Sequence, residues 1–154
     1  MPRTIRVLAT RLVAAPPSTV YRILADYRSR HPRILPPKYF SGFEVEHGGI
    51  GAGTRIRFRM TLAGTTKSYR AEVSEPEPGR VLVETDLESN GAVTTFTVGP
   101  ARDSRDSMVT ITTEWVSRGL SGLIERIFAP RLLSQVYAEE LRNLDALARA
   151  LTTG

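Results

Sequence analysis

GLSGLIERIFAPRLLSQVYAEELRNLDALARAL, residues 119–151, is the stretch on which the fold turns. Beyond Pro130, the residues Leu133, Val136, Tyr137, Leu141, Leu144, Leu147 and Leu151 recur at three- and four-residue steps, the stripe of a long amphipathic helix. Before it, Leu123, Ile124, Ile127 and Phe128 are too densely apolar for an exposed helix and belong deep against a partner surface. Ser121 is the expected N-cap, and Pro130 is expected to kink or split the helix.

Upstream, the period changes to two. From Thr54 to Leu62, Ile56, Phe58, Met60 and Leu62 share one face while Arg55, Arg57 and Arg59 share the other. Tyr69, Ala71 and Val73 oppose Arg70 and Glu72, and Val109, Ile111, Thr113 and Trp115 oppose Thr110, Thr112 and Glu114. Val81, Val83, Thr85 and Leu87 read as an inner face against outer Glu84, Asp86 and Glu88. Phe43 and Val45, and Thr94, Phe96 and Val98, mark two less regular strands. One apolar and one polar face is the pattern of an antiparallel sheet wet on one side. The connections, including the glycines between Gly48 and Gly53, Pro76-Glu77-Pro78-Gly79 and Asn90-Gly91, are turn chemistry that forces sequential antiparallel neighbours. At the start, Ile5 to Val13 forms a first strand. After it, Ser18 caps a helix carrying Val20, Ile23, Leu24 and Tyr27, and a short helix or turn runs on to Pro36-Pro37.

A helix after such a meander must be buried against the sheet. One helix, ~10–12 Å across, cannot cover seven strands spanning roughly 30 Å, so the sheet must curl around it, a shape that leaves a pocket. The expected fold class is therefore α+β, with a seven-stranded curved antiparallel sheet wrapped around a long C-terminal helix and two short helices between strands 1 and 2.

Composition narrows the function. At 154 residues, 41% hydrophobic and 24% charged, the chain reads as one globular domain spanning residues 1–154. It has no Cys, which excludes disulfides, thiolate catalysis and cysteine metal sites. The two histidines, His31 and His47, lack metal-ligand spacing, so no metal and no cofactor are expected. No apolar run approaches ~18 residues and the N-terminus lacks a signal-peptide core, so a cytoplasmic location is expected. The net charge of +5 sits in residues 1–38, where eight Lys or Arg face one acid, Asp26. This basic quarter reads first as a solvated face, and second as a contact for anionic membrane. Without an aromatic ladder, zinc finger or RNP motif, nucleic acid is not an expected partner. The four glycines of Gly48–Gly53 are followed by Thr54-Arg55 and a strand, not by the lysine and helix of a phosphate loop.

The order strand, two short helices, six-strand meander and long helix is the helix-grip arrangement. With Ala15-Pro-Pro-Ser-Thr-Val-Tyr21, Gly51-Ala-Gly-Thr-Arg55, Glu75-Pro-Glu-Pro-Gly-Arg80, Pro100 and Met108-Val-Thr-Ile-Thr-Thr-Glu-Trp115, the chain resembles the START-like, or SRPBCC, superfamily, most closely its polyketide cyclase/dehydrase-type members. The resemblance implies an internal apolar cavity for a lipid, polyketide, hormone or quinone-like molecule. Some members are cyclases or dehydratases, others bind and carry, and similar folds serve as protein-interaction modules.

The expected cavity lining is Ile56, Phe58, Met60, Tyr69, Val83, Thr85, Phe96, Trp115, Ile127 and Phe128, mostly apolar with few polar anchors. Thr94 and Thr113 add hydroxyls to the inner faces. With Glu72, Glu84 and Glu114 read as outward, the candidates for proton transfer are Tyr69, and Tyr27 and His31 at the mouth. The leading expectation is binding or carriage of a hydrophobic small molecule. The alternatives are a cyclase/dehydratase-type enzyme and a protein- or membrane-interaction module.

Overall fold

The computed structural model describes residues 2–88, 90–117 and 119–153, with side chains of 119–129 and of 153 outside the description. The elements are β1 (Arg3–Val13), α1 (Pro17–Ala25), α2 (His31–Ile34), β2 (Phe40–His47), β3 (Arg55–Leu62), β4 (Thr65–Glu77), β5 (Val81–Asp86), β6 (Val93–Ala101), β7 (Asp106–Ser117) and α3 (Gly119–Thr153). All seven strands form one antiparallel sheet in the order β1-β7-β6-β5-β4-β3-β2. The meander from β2 to β7 thus closes onto the N-terminal strand, and the expected helix-grip architecture is the one observed.

The helix ends differ from the sequence reading. α1 begins at Pro17, whose fixed φ and missing N–H suit the first helical position, so Ser18 lies inside the helix rather than capping it. α3 begins at Gly119, which places Ser121 within its first turn. Pro130 lies inside α3 without dividing it; the helix runs unbroken over 35 residues. Its stripe buries Val136, Tyr137, Leu141, Leu144 and Ala148, and it packs against β1, β7, α1 and α2.

Strand β5 is turned over relative to the sequence reading. Leu82 is fully buried and pairs with buried Phe96, while Glu84 pairs with Val73 and Thr94 on the same inner side. Val83, paired with Ser74 and Thr95, and Thr85, paired with Glu72 and Val93, face outward. The run Val81-Leu82-Val83 is apolar on both faces, so alternation alone does not fix its orientation. The orientation is decided by Leu82, which fills core, and by the buried Tyr27 hydroxyl that holds Glu84 (below).

The glycine loop between β2 and β3 locks the α1–α2 corner in place. Gly51 donates to the Ala25 carbonyl at 2.9 Å, Tyr27 donates to the Gly49 carbonyl at 2.9 Å, and Asp26 bridges Ile50. Gly49 has φ 142°, and a Cβ there would stand 2.1 Å from Arg28 Nε, so only glycine allows Arg28 to cross the loop to the Gly48 carbonyl. Several groups of the basic first quarter are held in the same internal fashion: Arg6 meets Glu114 at 3.3 Å and Arg11 meets Asp145 at 3.3 Å.

Asp145 ties α3 to the end of β1. Its carboxylate accepts the Ala14 N–H at 2.9 Å and is flanked by Arg11 and Arg149. Burial alone would raise its carboxyl, but the Ala14 N–H and the Arg149 and Arg11 guanidiniums together hold it below its ordinary 3.8. Asp145→Ala should cost about 1–3 kcal/mol in urea unfolding at neutral pH, because it removes the acceptor of the part-buried Ala14 N–H and the partner of the Arg11 and Arg149 guanidiniums. A carboxyl depressed in the folded state stabilises fully above its unfolded value. The difference between wild type and variant should therefore hold above about pH 4 and shrink as pH falls through the folded value.

Candidate functional site

Because α3 lies over β1 and β7, the inner face of the rest of the sheet is left to line a cavity of about 330 Å³. Its walls come from alternate residues of β3 (Ile56, Phe58, Met60, Leu62) and β4 (Lys67, Tyr69, Ala71), joined by Phe40, Phe43, Phe96 and Trp115. α3 supplies Leu132, Leu133, Tyr137 and Glu140 to the opposite wall. Exposed residues of the β3–β4 hairpin (Thr65, Lys67) and the β5–β6 connection (Asn90) rim the cavity at one end. Phe58 stacks on Tyr69 with centroids 5.6 Å apart, and Phe40 tilts against Phe58 at 5.8 Å, which stiffens the apolar wall.

The other end is closed and polar. Glu84 projects inward, 12% exposed, and its Oε2 accepts the Tyr27 hydroxyl at 2.6 Å. His31 stacks on the Tyr27 ring at 4.4 Å and meets Phe96 edge-on at 5.6 Å. Its Nδ1 lies 2.7 Å from the Leu24 carbonyl, an oxygen that can only accept, so Nδ1 carries the proton. Nε2 then faces Glu84 Oε2 at 3.7 Å with its lone pair. Burial is the main reason His31 titrates below its ordinary 6.5, and burial with the charge of Glu84 holds the Tyr27 phenol well above 10. Across the cavity, Tyr137 and Thr113 share a hydrogen bond of 2.5 Å, and Thr113 meets Thr94 at 2.8 Å. Glu140, 2% exposed, is raised well above its ordinary range by burial and then by the charge of Glu84. Burial thus favours its protonated form, and it takes no side-chain hydrogen bond from the described residues.

The residues named from sequence are distributed as follows. Ile56, Phe58, Met60, Tyr69, Phe96 and Trp115 line the cavity. Val83 and Thr85 do not, because β5 is turned over. Ile127 and Phe128 lie among residues whose side chains are outside the description. His31 and Tyr27 sit at the closed end rather than at the mouth, 2% and 0% exposed, because the glycine loop draws the α1–α2 corner inward. The expectation that no carboxylate points inward is overturned by Glu84 and Glu140. Glu140 was legible: it falls three residues after Tyr137 and four after Val136, on the buried stripe of α3. No grouping of His, Asp and Glu able to hold a metal occurs among the described residues, and none of the described helices is long and apolar enough to cross a membrane.

Residues 4–149 match the family described as polyketide cyclase/dehydrase and lipid transport. No curated protein sequence matches the chain. Among solved structures, the KanY protein superposes with a TM-score of 0.82 at 30% identity, covering 96% of this chain and 99% of its own. The Zhui aromatase/cyclase from Streptomyces superposes with a TM-score of 0.78 at 20% identity, covering 96% of this chain and 94% of its own. Norcoclaurine synthase from Thalictrum flavum, solved with dopamine and hydroxybenzaldehyde, superposes with a TM-score of 0.71 at 18% identity, covering 97% of this chain and 88% of its own. The last two are likenesses of fold.

Glu140 gives a direct test of the electrostatics. A carboxyl whose folded value is raised favours folding fully below its unfolded value, and this contribution is lost as pH rises toward the folded value. Glu140→Gln should therefore gain stability over wild type as pH increases from about 5 to 8, with a slope of up to about 1.4 kcal/mol per pH unit. A difference in denaturant midpoint that stays flat with pH would show that Glu140 ionises normally.

Proposed function

The chain belongs to the polyketide cyclase/dehydrase and lipid transport family, and from that membership we propose that its cavity takes up a largely apolar small molecule whose polar end meets Glu84 and Glu140. The observation that carries this reading is the division of the cavity into an apolar wall of β3 and β4 side chains and a single buried acid cluster at the closed end. Such pockets gain affinity from area removed from water, and orient their ligand through a few polar groups. Glu140, buried and without a side-chain hydrogen bond among the described residues, favours a ligand that offers it one.

A second reading, turnover of the bound molecule, draws support from the same cluster. Glu84 keeps one oxygen clear of the Tyr27 hydrogen bond, and burial favours the protonated form of Glu140 opposite. A base and an acid so arranged suit enolisation: Glu84 takes a proton from the carbon beside a carbonyl while Glu140 protonates the carbonyl oxygen. That step is common to aldol-type ring closure and dehydration. Tyr27 would steady the carboxylate as its charge changes.

Native mass spectrometry of the purified protein should retain an apolar molecule or bind one on addition. Ala92→Trp, which plugs the cavity wall near the β5–β6 connection, should lower affinity for an aryl ketone by about tenfold or more without lowering the unfolding midpoint by a comparable energy. Unchanged affinity in that variant counts against the cavity as the binding site. For turnover, deuterium exchange beside the carbonyl of an aryl 1,3-diketone, followed by NMR, should be accelerated by wild type and slowed about 100-fold by Glu84→Gln. A bound diketone that exchanges no faster than in buffer assigns the protein to carriage alone.

A further inference from the structure

The closed end of the cavity holds two buried carboxyl groups, and no cation among the described lining residues is buried beside them. His31 commits its ring proton to the Leu24 carbonyl and turns a bare Nε2 toward Glu84. Tyr27 commits its hydroxyl to Glu84, and the hydroxyls of Thr94, Thr113 and Tyr137 bond one another. Asp86, the other acid on the wall, caps the β5–β6 connection by accepting the N–H groups of Glu88 and Gly91. Among the described lining residues, the titratable groups are His31 from α2, Lys67 and Tyr69 from β4, Glu84 and Asp86 from β5, and Tyr137 and Glu140 from α3. The one obligatory cation of that set, Lys67, is exposed at the rim. A buried carboxylate with only neutral donors, beside a second buried carboxyl with none, carries a desolvation cost that a cation would offset.

We infer that the ligand is a protonated amine on an apolar, ring-bearing body, and that its ammonium group sits between Glu84 and Glu140. The inference rests on the apolar-ligand reading above and narrows its chemical class. An ammonium brings three donors and a positive charge to the two carboxyl groups. A carboxylate or phosphate would add a further negative group to it, and an alcohol supplies one donor and no charge. The rings of Tyr69, Phe58 and Trp115 along the wall suit the ring-bearing body of such a ligand. A cation placed against Glu140 favours its ionised form, so amine entry shifts Glu140 toward release of its proton.

Calorimetric titration of the intact protein at neutral pH with phenylbutylamine, phenylbutanol and phenylbutyrate, in buffers of different ionisation enthalpy, tests this. The amine should bind at least about tenfold tighter than the alcohol, and the acid more weakly than either. Amine binding should release a proton, read from the buffer dependence of the enthalpy. Glu140→Gln should abolish that release yet keep the amine preference. Glu84→Gln should erase the preference for the amine over the alcohol. An alcohol that matches the amine on wild type overturns the inference and leaves the apolar-ligand reading standing. Failure of all three probes to bind removes both. The wild-type comparison decides the matter even where a variant fails to fold.

Discussion

A single helix cannot roof seven strands. Neighbouring strands lie ~4.8 Å apart, and a helix with its side chains covers ~10–12 Å, so most of the sheet's inner face must find another cover. The chain meets this by setting α3 against β1 and β7 and tucking α1 and α2 beside it. The inner face of β3 and β4 is then left facing space. The cavity follows from this mismatch of widths, and apolar side chains on both walls make it a place for an apolar guest.

The polar end depends on a relay of placements that begins outside the cavity. The glycine loop before β3 grips the α1–α2 corner through backbone hydrogen bonds. That grip sets Tyr27 and His31 in the interior, and Tyr27 supplies the donor that lets Glu84 point inward. Burial first, and then the charge of Glu84, raise the Glu140 carboxyl on the far wall. Tyr21 and the Ala52 N–H, bonded to the two oxygens of Glu75, tie the same loop to α1 from its other side. The four glycines that invite comparison with a phosphate loop therefore act at a distance, as the hinge point that aims two aromatic side chains.

The architecture was legible in the sequence because its signals were redundant. β3 alternates without a fault, Asn90-Gly91 forces a turn, and the α3 stripe persists across Leu133 to Leu147. The lining from β3 and β4 was legible for the same reason. The closed end was not, because its residues break the rule that charge points outward. β5 offers apolar residues on both faces at Val81-Leu82-Val83, so its orientation follows tertiary packing of Leu82 rather than local pattern. Glu84 looks like an ordinary solvent-facing acid until Tyr27 and His31 are placed, and their placement rests on contacts across the loop that no periodicity reports. Glu140 carried a readable signal, a carboxylate on an apolar stripe.

The two ends of the cavity differ in stiffness as well as in polarity. The closed end is fixed by stacked rings and short hydrogen bonds in fully covered surroundings, whereas the open end is rimmed by a hairpin and a turn that face solvent. A guest held this way is read strictly at its head and loosely along its tail. Molecules sharing one head group but differing in tail length or ring count would share the site, with discrimination concentrated in a few ångströms at the bottom and little selectivity at the rim. On the proposed reading, a cavity of this shape would admit a chemical series more readily than a single compound.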